Sequence, residues 1–155
     1  MHTMADGRGR SLATRITPGQ AADTKQLVAL LDQIAVTRPG GIGRPRKRPD
    51  SVTADKAYSS RANRAALRAR KIVAVIPQPK DQIANRVRKG SRGGRPPAFD
   101  PVRYKNRNQV ERGFGRRKQW RGVATRYDKL GVSYQATLDI AETLDWIRTI
   151  PTLTP

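Results

Sequence analysis

Residues 51–76 read SVTADKAYSSRANRAALRARKIVAVI, and the reading of this stretch decides the fold class. Ser51-Val52-Thr53-Ala54 is a short run of small and β-branched residues, which predicts a strand ending at Asp55. Ser59 or Ser60 then supplies an N-cap for a helix reaching about Arg70. Arg61, Arg64, Arg68 and Lys71 line one side of that helix, and Ala62, Ala65, Ala66 and Ala69 form a small-residue face. Ile72 to Ile76 reads by composition as a buried strand stopped by Pro77. Strand, helix and strand at this spacing make a βαβ unit with parallel strands, so the class is α/β. Asp55 is therefore expected at the carboxyl end of a parallel strand, the edge of an open α/β sheet where sites form.

Upstream, His2–Ala5 and Leu12–Thr17 flank Asp6-Gly7-Arg8-Gly9, a turn signal that predicts a hairpin. Asp23 precedes Leu27, Val28, Leu30, Leu31 and Ile34, which share one helical face; Asp23 reads as the N-cap, with a metal-ligand role the weaker alternative. Arg38 to Pro49 reads as a solvated basic loop. Pro77 to Pro97 reads as a second loop, carrying Lys80, Arg86, Arg88, Lys89, Arg92 and Arg95 against Asp81 alone. Asp100-Pro101 is a strong helix start, and that helix is expected to reach Gln119 or Trp120. Gly113 and Gly115 inside it cost roughly 1 kcal/mol each against Ala, which suggests close packing or close approach of a ligand. A last helix is expected over about Ser133–Arg148, with Tyr134, Leu138, Ala141, Leu144 and Ile147 on one side and Pro151 and Pro155 ending it. A single domain over 1–150 is expected, with long basic loops at 38–50 and 77–100 and a tail at 151–155.

The chain has 155 residues, with 32 Lys and Arg against 12 Asp and Glu. The net charge of +20 and the pI near 11.6 make a polyanion the expected partner. The absence of Cys excludes disulfide scaffolds, Cys-ligated zinc and thiol nucleophiles. The one His, at position 2 beside the expected flexible start, argues against a Ser-His-Asp triad or a His-rich metal site. The longest apolar run, Ile72 to Ile76, is far too short to span a membrane, and the N-terminus has no apolar secretory core, so a soluble intracellular protein is expected. Gly43-Arg44-Pro45 and Gly94-Arg95-Pro96 resemble minor-groove hooks; the plainer reading is charged loops, and either would touch phosphate.

Tyr104, Arg107, Glu111, Phe114 and Lys118 follow at steps of three, four, three and four, so they share one face of a helix. Two readings of this stripe stay open. Arg107 and Glu111 can be an ordinary surface ion pair. Alternatively, Glu111 and Asp55 can share a divalent metal while the cations hold phosphate, because hard oxygen ligands suit Mg²⁺ and paired metals clamp an in-line phosphoryl displacement. For Tyr104, Phe114 and Trp120, core packing competes with DNA contact.

The spacing Tyr104, Arg107, Glu111, Lys118 resembles the Tyr-Arg-Glu-Lys motif of bacterial insertion-sequence transposases of the Asp-Asp-Glu class. The context YKNRNQVERGFGRRKQWRGVATRYDKL, and the segments VTADKAYSSRANRAALR, KGSRGGRPPAFD and DGRGRSLATRITPGQAADT, resemble the same family. The resemblance implies a ribonuclease-H-like mixed sheet flanked by helices. It implies Asp55 and Glu111 as catalytic ligands for Mg²⁺ or Mn²⁺, in metal-dependent cleavage and transfer of DNA strands. It implies DNA contacts by Tyr104, Arg107 and Lys118, joined by Arg44, Arg46, Lys47 and Arg48 of the basic loop. The partners implied are element-end and target DNA, with a homo-oligomer or a chain from an upstream reading frame; the location implied is the bacterial cytoplasm, at the nucleoid. The family's first catalytic Asp belongs to a strand before the hairpin. Asp6 matches the turn and Asp23 a position after the hairpin, so no residue takes that role. The first strand is thus expected to be missing, and this chain alone is not expected to cut DNA. The competing reading is a non-catalytic basic nucleic-acid-binding protein or an inactive relic.

Overall fold

Asp6 closes a hairpin at the start of the chain, as its Asp-Gly-Arg-Gly context predicts. In the computed structural model, which describes residues 1–38 and 40–149, strand β1 (His2–Ala5) pairs antiparallel with β2 (Ser11–Arg15). Asp6 Oδ1 accepts from the Arg8 and Arg10 backbone N–H groups, each at 2.9 Å, and Oδ2 accepts from Arg10 Nε at 2.7 Å. Burial pushes the Asp6 carboxyl up, but these bonds and the Arg10 charge outweigh it and hold it below its ordinary pKa. His2 is not at a loose end: it is buried in β1, with Nε2 2.6 Å from Thr17 Oγ1.

The chain divides into two compact units, Ala21–Arg107 and Met1–Gln20 with Asn108 onward. The first of these holds the βαβ unit. A 3₁₀ turn, Asp23–Gln26, leads into α1 (Leu27–Gln33), which buries Leu27, Leu30 and Leu31. Asp23 is not the N-cap. The extended residue before the turn is Ala22, without a side-chain cap bond, so Asp23 falls one residue inside, in the first turn. Strands β3 (Ser51–Thr53) and β4 (Val73–Val75) pair in parallel, Ser51 opposite Val73. Between them α2 (Arg61–Ala69) packs on β4 and α1. Ser60 caps α2, its side chain accepting from Asn63 N at 3.1 Å. The inward face of α2 is not its alanines but Asn63 and Leu67, while Ala62, Ala65 and Ala69 are exposed. Asn63 satisfies its amide there by donating to Thr24 O and Oγ1, both at 2.9 Å. Ile72, Val75 and Ile76 are buried as expected, but Val73 is exposed.

The stretch Pro77–Pro97 is not a structureless loop. It contains α3 (Lys80–Arg88), followed by a 3₁₀ turn at Gly90–Gly93. Asp81 in its first turn and Arg86 and Arg88 in its last complement the helix dipole. The described residues of 38–50 do lack regular structure, apart from a bridge between Arg46 and Val36. Asp100 caps α4 (Pro101–Tyr104), with Oδ1 accepting from Val102 N and Arg103 N at 3.0 Å each. The long helix expected from Pro101 is broken, however. A 3₁₀ turn at Lys105–Arg107 separates α4 from α5 (Asn108–Lys118). The five-residue stripe therefore does not lie on one continuous helix.

In the other unit, α5 is followed by α6 (Arg121–Thr125), which the sequence reading did not anticipate, and α7 (Gly131–Thr149). Val123, Tyr134, Leu138 and Ala141 form its core, with Met1, Ile16 and Trp120 against it. Leu144 is half-buried and Ile147 is exposed, so the expected apolar side of α7 fades toward its end. Pro151, Pro155 and the tail 151–155 lie outside the described residues. Two ion pairs join α5 to α7: Arg116 Nε to Asp145 at 2.9 Å and Arg117 Nη1 to Glu142 at 2.9 Å. Glu142 also accepts from Thr14 Oγ1 of β2 at 2.6 Å, and Trp146 Nε1 donates to Ser11 O at 2.6 Å.

The two glycines of α5 differ. A Cβ at Gly113 would stand 2.6 Å from Gly9 O, a backbone atom that cannot swing away, whereas nothing lies within 4 Å of one at Gly115. Gly115→Ala is expected to gain up to about 1 kcal/mol of stability from helix propensity. Gly113→Ala is expected to lose about 1–3 kcal/mol by overpacking. Urea unfolding of both variants checks this opposition, and equal shifts of one sign would reject the close approach of hairpin and helix.

Candidate functional site

Asp55 follows β3 after one intervening residue, Ala54, at the carboxyl end of the parallel pair, where the βαβ reading placed it. Its side chain makes no cap bond to the 3₁₀ turn Lys56–Tyr58 that follows. Arg107 Nη2 stands 3.8 Å from Asp55 Oδ2. Both side chains are partly exposed, so the pair stabilises by no more than about 1 kcal/mol. Its significance is positional: it brings together two residues 52 positions apart (107 − 55) that the sequence reading had placed at one site. Burial, then the charges of Asp23 and Asp55, push the Tyr58 phenol above its ordinary pKa, so both carboxylates lie near Tyr58. Tyr104 packs its ring against Phe99, with centroids 5.3 Å apart and planes tilted by 60°. The sequence reading passed over Phe99, although an aromatic just before the Asp100 cap is a signal for such packing.

On α5, Glu111 and Lys118 are exposed, while the buried residues are Gly113 and Arg117. Phe114 is half-buried, with the Arg117 guanidinium 4.7 Å from its ring centroid. Trp120 takes the core role weighed for it: it packs on the α6–α7 cluster, and Arg148 lies 5.4 Å over its ring. Arg117 was missed by the sequence reading. It is 3% exposed, and its Nε and Nη2 are buried without a hydrogen-bond partner. Nothing in the local sequence separates it from the exposed cations around it.

Arg44, Arg46, Lys47 and Arg48 of the basic loop are all exposed. Arg46 is partly engaged: Nη2 donates to Asp50 Oδ1 at 2.6 Å and Nε to Arg48 O at 3.1 Å. Lys47 and Arg48 rim a groove of about 360 Å³ with Asp32 and Arg70, over a floor of Leu31 and Ile72. Arg70 and Asp32 are paired there at 2.9 Å. Exposed cations on a loop of this kind neutralise phosphate without reading sequence. Among the described residues, no three or more Asp, Glu or His side chains gather to hold a metal, and no helix is long and apolar enough to cross a membrane.

Residues 1–137 match the family described as Transposase DDE domain. A Burkholderia cepacia protein described as a transposase for insertion sequence element IS402 is 41% identical to this chain over 75 residues. That match covers 48% of this chain and 35% of the relative, so the chain corresponds to about a third of the relative's length. No solved structure matches the chain.

Proposed function

This chain belongs to the transposase DDE domain family, and we propose that it forms part of a catalytic domain for DNA transposition. The observation that carries the reading is the contact of Asp55, at the end of a parallel strand, with Arg107 of the Tyr-Arg-Glu-Lys motif. In this reading both compact units belong to one ribonuclease-H-like domain over 1–150. The βαβ unit with Asp55 beyond its parallel pair supports that view; the described residues form one antiparallel and one parallel two-stranded sheet, not the single mixed sheet the resemblance implies. Asp55 and Glu111 are the carboxylates proposed to hold Mg²⁺ or Mn²⁺. Two carboxylates are an incomplete donor set for such an ion, so no chemical step is assigned to it. Arg107, Lys118 and the cations at 44 and 46–48 would bind the DNA backbone at element ends and target, with Tyr104 packed beside them. The protein would act in the bacterial cytoplasm at the nucleoid, with a second copy or an upstream-frame chain as its protein partner.

Mn²⁺ binding followed by electron paramagnetic resonance tests the site. Asp55→Asn and Glu111→Gln are each expected to weaken binding tenfold or more, while duplex DNA binding stays within a few-fold. The 155-residue chain with Mg²⁺ is expected not to nick DNA, because Asp55 and Glu111 alone supply too little charge and too few donors for a two-metal site. Metal binding indifferent to both substitutions would leave a basic DNA-binding protein as the better reading. Robust Glu111-dependent cleavage would show that another residue completes the set.

A further inference from the structure

We infer that α3 is a DNA-reading helix, whose outward face enters the major groove and distinguishes base pairs; this rests on the DNA-binding reading above. An ordinary surface helix turns its apolar stripe inward and its polar side to water. Here two polar residues face inward and the apolar ones outward, with Asp81 and Asn85 also exposed along one flank of the outward stripe. The polar residues Gln82 and Arg86 face the protein: Gln82 Nε2 donates to Ser59 O at 3.0 Å and its Oε1 accepts from Ser59 Oγ at 3.1 Å, while Arg86 Nη1 donates to Gln78 Oε1. Lys80, Ile83, Ala84, Val87 and Arg88, at i, i+3, i+4, i+7 and i+8, are all exposed, Val87 by 72%. The stripe has an apolar middle and a cation at each end. Arg88 donates one bond to Asn85 Oδ1, which orients the guanidinium and leaves its other N–H groups for a partner.

Charge decides what that partner is. Between residues 80 and 95, Asp81 is the one carboxylate against Lys80, Arg86, Arg88, Lys89, Arg92 and Arg95. A nine-residue helix is about 14 Å long. The major groove, roughly 12 Å wide, admits a helix, and the minor groove, roughly 6 Å wide, does not. The face matches what that groove displays. Ile83, Ala84 and Val87 suit thymine methyl groups, Arg88 suits the O6 and N7 acceptors of guanine, and Lys80 suits flanking phosphate. The remaining basic surface binds any sequence, and α3 adds preference.

Selection from random-sequence duplexes by the 155-residue chain tests this. The expected pool is enriched in a motif of roughly three or four base pairs containing thymine. Arg88→Ala is expected to lose preference at one guanine by roughly tenfold, and Val87→Thr to change the choice at a thymine. Lys80→Gln is expected to weaken all sequences alike. Circular dichroism confirms that each variant keeps its helix. Steep salt-dependent binding with an unenriched pool would overturn the assignment of α3 and leave the DNA reading standing. The same motif from wild type, Arg88→Ala and Val87→Thr would overturn it too, as would a loss of self-association in Val87→Thr with unchanged selection. No duplex binding at low salt would defeat both readings.

Discussion

Glu142→Ala is expected to cost about 3–5 kcal/mol of unfolding free energy, because it strands a buried cation. Arg117 is 3% exposed, and its Nη1 bond to Glu142 at 2.9 Å is its ion pair; Nε and Nη2 already lack partners. The Phe114 ring face offsets part of the guanidinium charge, and only weakly in comparison. Glu142→Ala also removes the carboxylate acceptor 2.6 Å from Thr14 Oγ1, which keeps the Ser11 and Thr3 hydroxyls as partners. A loss of this size is a large fraction of a marginal total stability, commonly 5–15 kcal/mol. Removing both charges together, as Arg117→Leu with Glu142→Leu, is expected to recover most of it, since two apolar groups need no pairing. Trp120 and Trp146 both belong to this unit and are the only tryptophans of the chain. Fluorescence during urea unfolding therefore reports on it directly. A cost below about 1 kcal/mol for Glu142→Ala, in the range of an exposed pair, would show that Arg117 reaches water.

The second large effect is on binding. With a net charge of +20, affinity for duplex DNA is expected to fall by about 10³–10⁵ between 50 and 200 mM salt, the range for 6–10 phosphate contacts. Replacing Arg44, Arg46, Lys47 and Arg48 with Gln is expected to flatten the slope of log affinity against log salt and to weaken binding evenly across sequences. The four are not equal. Arg46 already spends part of its charge on Asp50, whose carboxylate lies 2.6 Å from Nη2 and opposes an incoming phosphate. Arg46→Gln alone is therefore expected to matter less than Lys47→Gln or Arg48→Gln. A slope near zero in the wild-type titration would reject the DNA-binding reading outright.

Much of what positions the site was legible in residues. The hairpin follows from Asp6 and the glycines after it, because one carboxylate satisfies the turn's own N–H groups. Asp100 with Pro101, and Ser60, start helices where their side chains accept backbone N–H bonds two or three residues on. The parallel pairing of β3 and β4 follows from a helix between two strands. The family resemblance also rested on linear spacing, which needs no coordinates.

The misreadings have a common cause. The Tyr104-to-Lys118 stripe assumed a helical period unbroken across Lys105–Arg107, where a 3₁₀ turn changes the angle per residue. The α3 segment was hidden because its apolar stripe is short and its composition basic, so a loop seemed the simpler reading. The Asp6 turn and the Ser60 and Asp100 caps are satisfied within a few residues, and the sequence by itself determined them. The tertiary structure alone decided which charges are buried and paired. Arg117 finds Glu142 25 positions away (142 − 117), and Arg107 reaches Asp55 52 positions away. The energy of a charge depends on the solvent and partners around it, and those are brought by distant parts of the chain.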